Sequence, residues 1–209
     1  MTRVTFLDVS TSEKPTTREA QRIATRERLF AAAVAEFKRT GVIGADVTAI
    51  VADAGVAHGT FFFHFPTKEH VVAELGQREE MRMAGDIDRF LAQPRDLSAT
   101  LAEVIRQTAL LERRVGTPLF KDMLALYFSP NRPELQPWME HPLISRVIEE
   151  FQHAGDQGDI RTDDADPANS ATFFFLGLFA LLITHDRTAS RNAVLEQYVT
   201  VLLRGLENR

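Results

Sequence analysis

Apolar residues recur every three to four positions along most of this chain, and nowhere do they alternate with polar ones over a strand's length. Ile23, Leu29, Phe30, Ala33, Val34 and Phe37 mark one face of a helix predicted over 18–40 and stopped by Gly41. Val47, Ile50, Val51 and Ala54 mark a second, shorter helix behind a capping Asp46. Gly55 supplies the positive φ of a tight turn, and a third helix starts near Ala57. Beyond Pro66, Thr67 is placed to cap a helix running towards Leu91, and Gln93-Pro94-Arg95 is the next break. Further helices are expected over about 97–115, 118–128, 142–155, 167–185 and 190–207. Prolines 118, 130, 133, 137, 142 and 167 punctuate them, and Asn131 to His141 is the longest irregular connection. The fold class expected is all-α.

Three segments follow from this pattern. Residues 1–17 mix Thr, Ser, Asp, Glu and Lys with Pro15 and hold no period; they read as a flexible leader, or as an arm carrying Arg3 and Lys14 to a minor groove. Residues 18–66 read as a helix-turn-helix domain, and 67–209 as a second helical domain. A helix held after a tight turn fits the major groove with its first residues toward base edges.

The segment from Asp46 to Glu69 also resembles the DNA-binding domain of the tetracycline-repressor (TetR) family. Ala54-Gly55-Val56, Gly59-Thr60, His64-Phe65 and Lys68-Glu69 stand in the family's register, with Phe61 in its leucine place. Two positions depart: Ala57 stands where the family has serine and Phe62 where it has tyrosine, so two neutral donors to phosphate oxygens are missing. By that register, His58, Gly59, Thr60, Phe63 and His64 would face base edges, with Thr48 nearby. Lys68 would meet phosphate, and Phe62 would pack where the tyrosine donates. Gly158 to Pro167 resembles the link that many members place before their last two helices.

Charge is a weaker guide. The chain of 209 residues carries a net −5, yet residues 1–39 hold a local balance of +3, so the positive excess lies beside the helix-turn-helix. Arg18, Arg22 and Arg26 form one stripe there, read either as solvated or as a phosphate contact. The absence of cysteine excludes disulfides and thiolate metal sites and fits a cytoplasmic location. The first 15 residues lack a signal-peptide pattern, and the apolar run from Phe173 to Ile183 is shorter than the roughly 20 residues of a membrane span, so no membrane is expected.

Enzymatic signatures are missing from the motifs. The six histidines show no metalloprotease spacing, and there is neither a Gly-x-Ser-x-Gly elbow nor a Gly-rich phosphate loop. No catalytic residue, metal site or cofactor is expected. His70, His141, His153 and His185 read as surface or partly satisfied core residues.

Apolar residues of the second domain are mostly core. The family resemblance implies that some line an effector cavity, and Phe120, Met123, Tyr127 and Trp138 are the candidates. Residues 172–183 are apolar on nearly every side, which reads as a partner surface or as a buried central helix. The resemblance implies a homodimer joined by a four-helix bundle, with Phe174, Leu178, Phe179, Leu182, Leu195, Tyr198 and Leu202 at the interface. It also implies a repressor that a small, largely apolar effector releases from a double-stranded DNA operator. A protein-interaction module that has lost DNA binding is the first alternative, and an enzyme using the second domain the other.

Overall fold

The structure is a computed structural model, and it describes residues 16–130, 132–133, 140–161, 166–185 and 188–206. The expectations for Arg3, Lys14 and Trp138 lie outside the described residues. Among the described residues there are nine α-helices and no strand: α1 Thr17–Gly44, α2 Val47–Asp53, α3 His58–His64, α4 Lys68–Leu91, α5 Leu97–Val115, α6 Thr117–Tyr127, α7 Pro142–Asp156, α8 Pro167–Thr184 and α9 Ala189–Leu206.

Local chemistry explains most of the boundaries. The carboxylates of Asp46, Asp96 and Asp166 accept from the backbone N–H groups of Thr48, Ala99 and Asn169 at 2.8, 2.7 and 2.9 Å, relieving orphan donors at the starts of α2, α5 and α8. Prolines open α6, α7 and α8, where a missing N–H removes no helical bond. Thr67 does sit at the N-cap of α4, but its hydroxyl pairs with His70 Nδ1 at 3.1 Å and caps no backbone N–H.

The first helix departs from expectation at both ends. Gly41 kinks the chain at φ 73° and ψ 164° without ending the helix, which resumes to Gly44. That last turn has outside support: the Val42 N–H donates to Asp122 Oδ2 on α6 at 3.1 Å, and Lys68 Nζ donates to the carbonyls of Ile43 and Ala45 at 3.0 and 3.2 Å. Ile23, placed on the apolar face by its spacing, is 49% exposed, because the first two turns of α1 run beyond the core.

A continuous core runs from Leu29 of α1 to Val199 of α9. Leu29, Ala33 and Phe37 pack with Ile50, Phe61 and Phe65, while α4, α5, α6, α7 and α8 surround Leu101, Leu119, Phe151 and Phe174. Packing does not break at residue 66, since α1 rests on both α4 and α6. An ionic clamp reinforces that contact. Arg26 and Arg78 both bind Glu74, Arg78 also holds Glu27, and the two guanidinium groups lie over the rings of Phe65 and Phe30 at 4.4 and 4.0 Å. The Glu27 carboxyl is held below its ordinary range, chiefly by its hydrogen bonds to Arg78.

Near the C-terminal end of the bundle, Arg191 of α9 and Glu112 of α5 form an ion pair at 2.6 Å, each only 1% exposed. The Thr117 hydroxyl donates to the same carboxylate at 3.0 Å. Helix α8 is long and apolar enough to cross a membrane by length and composition alone. Its inner face, Phe174, Phe175, Leu178 and Leu182, is nevertheless part of this core. Helix α9 lies close against it: the Tyr198 hydroxyl donates to the carbonyls of Phe173 and Phe174 at 2.7 and 2.9 Å, in the space that a Cβ on Gly177 would occupy. Glycine at 177 is what permits that approach.

Candidate nucleic-acid interface and effector cavity

The turn between α2 and α3 closes with two bonds typical of a helix ending in a left-handed residue. Val56 N–H reaches the Val51 carbonyl at 3.0 Å, Gly55 N–H reaches Ala52 at 3.2 Å, and Gly55 has φ 65°. Val51 is buried and Val56 packs against the core, so the turn is fixed by side chains as well as backbone.

Phe61 and Phe65, four residues apart, anchor the third helix at 0% and 1% exposure. Burying a side chain of this size stabilises by roughly 1.5–3 kcal/mol, enough to set the helix's rotation. The opposite face therefore points outward, and it carries His58, Gly59, Phe62 and Phe63, with Thr48 and Ala57 exposed beside it. Thr60 and His64 are half-buried at its edges. No side chain caps α3, as follows from alanine at 57. Phe63 is 74% exposed and Phe62 48%, the latter edge-on to Phe61 and against the His58 ring. Burial, then the charges of Arg26 and Arg22, pull the His64 pKa down, which keeps its imidazole neutral near pH 7.

Cations around this face fall into two groups. Arg18 and Arg22 are exposed, whereas Arg26 is turned to Glu74 and Phe65 and so leaves the expected stripe. Lys68 also has a structural task, holding the end of α1 through two carbonyls, which leaves its third N–H for any further acceptor.

A second candidate site lies inside the larger helical bundle. Gly76, Glu80 and Met83 of α4, Thr108 and Leu111 of α5, Phe120, Met123, Leu124 and Tyr127 of α6, Leu143 and Ile144 of α7, and Phe175 and Phe179 of α8 enclose a cavity of about 60 Å³. Three of the four expected effector residues thus share one wall. Ligand pockets usually measure roughly 300–1,000 Å³, so a bound molecule requires side chains here to move apart. The polar end is small: His141 Nδ1 lies 2.6 Å from Glu80 Oε2, with both residues buried, and the Tyr127 ring stands edge-on to His141. Burial, and next the Glu80 charge, push the Tyr127 phenol up, so it remains protonated. Among the described residues, no group of three His, Asp or Glu is placed to hold a metal ion.

Several interface expectations require correction. Phe174, Leu178, Leu182 and Leu195 are 0–3% exposed within their own chain and have no surface to offer a partner. Tyr198, Leu202 and Phe179 are only half-buried and keep surface for a partner, although Tyr198 is bound to α8 of the same chain and Phe179 packs on Tyr127 at 5.8 Å as part of the cavity wall. The outward apolar residues are instead Phe173 and Leu176 of α8 and Val201 of α9. Because α8 is apolar on all sides, its sequence carries no signal for which face turns inward. Glu80 was also missed, although a signal existed: it falls in register with the buried Val72, Met83 and Ile87, where a carboxylate is out of place.

Residues 29–75 match the family model described as bacterial regulatory proteins, tetR family. No curated protein matches. Among solved structures, a TetR-family transcriptional repressor, FadR of Thermus thermophilus, in complex with lauroyl-CoA, is similar with 26% identity and a TM-score of 0.72, covering 88% of this chain and 96% of that one. The regulator FadR of Bacillus subtilis with stearoyl-CoA shares 17% identity at TM-score 0.63, over 87% of this chain and 99% of its own. The ketosteroid transcriptional regulator KstR2 of Mycobacterium tuberculosis shares 18% at 0.56, over 88% and 95%.

Proposed function

We propose, from the match of residues 29–75 to the model of the tetR family of bacterial regulatory proteins and from the fold shared with a TetR-family repressor, that the chain is a member of that family and a homodimeric repressor released from its operator by a small, largely apolar effector. It is a ligand-responsive transcriptional regulator and not an enzyme. The observation that carries the reading is the outward face of α3, held rigid by Phe61 and Phe65 with His58, Gly59, Phe62 and Phe63 presented together. The repressor similar at 26% identity supports the direction of regulation, and the apolar lining of the cavity supports the apolar effector. A cytoplasmic location goes with this role.

On this reading 18–66 is the DNA-binding unit, 67–209 the effector-binding and dimerisation unit, and each recognition helix of a dimer enters one of two successive major grooves about 34–36 Å apart. Thr48, Ala57, His58, Gly59, Thr60, Phe62, Phe63, His64 and Lys68 form the DNA surface. The outward strip of Phe173, Leu176 and Val201 meets its counterpart on a second copy. Coupling runs through α4 and α6, which line the cavity and also hold the DNA-binding unit: Asp122, on α6 beside Met123, fixes the kink of α1, and Lys68, at the start of α4, fixes its last turn. A ligand that widens the cavity displaces both helices, so it favours a dimer geometry other than the one that spans two grooves. Linkage requires the reverse as well, with operator DNA lowering effector affinity by the same factor.

The test is a mobility shift on the chain's own upstream DNA at several salt concentrations. A retarded complex of two chains whose affinity falls steeply with salt is expected. One observation favours a second reading: two exposed phenylalanines on α3 also suit contact with protein. Salt-insensitive or absent DNA binding by a folded dimer would favour that interaction module.

A further inference from the structure

The cavity's composition specifies more about its occupant than that it is apolar. Among the described residues, its walls include four aromatic rings, Phe120, Tyr127, Phe175 and Phe179, and no Lys or Arg side chain. Tyr127 and Phe175 both pack on Phe179, at 5.8 and 5.9 Å between ring centroids, so an inserted planar body meets ring faces and edges. At the polar end stands a carboxylate, Glu80, buried and held through Oε2 by His141. An ionised carboxylate only accepts hydrogen bonds, whichever protonation state His141 adopts, while the Tyr127 hydroxyl beside it both donates and accepts.

Resting on the effector reading above, we infer that the site takes a neutral ring compound bearing a hydroxyl group, whose O–H donates to Glu80 Oε1 and whose oxygen accepts from Tyr127. A carboxylate ligand brings a second negative charge against Glu80, with no Lys or Arg among the described lining residues to offset it and His141 already engaged by Glu80 Oε2, in surroundings where such repulsion is poorly screened. A hydrocarbon of the same shape leaves the Glu80 end desolvated without a donor. The hydroxyl compound is therefore separated from both by at least tenfold in affinity.

Three probes of one shape, 2-naphthol, 2-naphthoate and naphthalene, together with lauroyl-CoA, test this by calorimetry and ligand fluorescence on the full chain at neutral pH. Expected is 2-naphthol binding at least tenfold more tightly than the other two naphthalenes. In Glu80→Gln, which keeps the shape and removes the charge, the 2-naphthol to 2-naphthoate ratio should fall at least fivefold. Tyr127→Phe should weaken 2-naphthol while leaving naphthalene unchanged, a split that a general loss of folding would not produce. The inference is overturned if 2-naphthoate or lauroyl-CoA binds as tightly as 2-naphthol, if none of the probes binds, or if folded Glu80→Gln keeps the wild-type ratio. Operator release is scored separately: 2-naphthol that binds through Glu80 yet leaves the DNA complex intact would support the site's chemistry and sink its role as the effector site.

Discussion

Gly59 isolates one question at the scale of the residue, because a Cβ placed there would meet nothing within 4 Å beyond its chain neighbours and the backbone of its own helix. Gly59→Ala should leave the fold intact and raise stability by up to about 1 kcal/mol, the usual gain in a helix. If DNA backbone or base edges approach that point closely, operator affinity should drop several-fold in the same variant. An alanine variant with unchanged operator binding would place Gly59 off the DNA. Lys68 is different, because its ammonium group already holds two carbonyls of the α1 end. Lys68→Ala should cost about 1–2 kcal/mol of stability through those bonds. It should also lower the salt slope of DNA binding by roughly one unit if the third N–H meets phosphate. Lost stability with an unchanged slope would leave Lys68 a purely structural residue. The sequence motif placed Lys68 correctly along the chain but could not reveal these contacts, since Ile43 and Ala45 come within reach only after the kink at Gly41.

For whole elements, legibility followed amphipathicity. Helices α2 and α3 could be read because Asp46 and Gly55 each specify one local geometry and because Phe61 and Phe65 stand in the register of the family motif. The rotation of α8 could not, because it is apolar all round; what sets it is the close approach of Tyr198 over Gly177, a contact between residues far apart in sequence. That is also why Phe175 and Phe179 were not recognised as cavity wall although Phe120, Met123 and Tyr127 were singled out. The corrected rotation moves the assembly test. Phe173 is 63% exposed on the outer face, so Phe173→Arg should keep the fold and yield monomers by sedimentation. A variant that remains dimeric at micromolar concentration would remove this strip from the interface. The equivalent change at Phe179 would instead strike the cavity.

Taken as a whole, the molecule joins its two ends through a few polar contacts across one shared core. Asp122→Ala removes the acceptor for Val42 without touching the cavity wall. It should leave effector affinity nearly unchanged while weakening effector-driven operator release, read by titrating ligand into a preformed DNA complex. Wild-type release in that variant would place the coupling elsewhere, in the clamp between α1 and α4.

Acid should loosen the whole assembly. Glu27, Glu103 and Asp88 are each held below their ordinary pKa by hydrogen bonds to Arg78, Arg106 and Arg146. A carboxyl depressed by folding adds stability that is full above its unfolded pKa and is lost as the pH falls through the folded one. The thermal midpoint should therefore begin to fall as the pH passes below about 4.5, the ordinary value for glutamate, and continue downward. A midpoint that stays flat down to roughly pH 3 would show that these pairs contribute nothing.

The buried pair of Arg191 and Glu112 bears on how fast two copies meet. Moving α9 along or around α5 would separate two charges in surroundings without water, so the final helix has one angular setting before any partner arrives. Val201 is then already aimed, and docking does not have to wait for a helix to order or turn. Association of this kind is limited by collision and orientation, at roughly 10⁵–10⁷ M⁻¹s⁻¹, and differences in dimer strength among variants of the strip appear in how long the pair stays together.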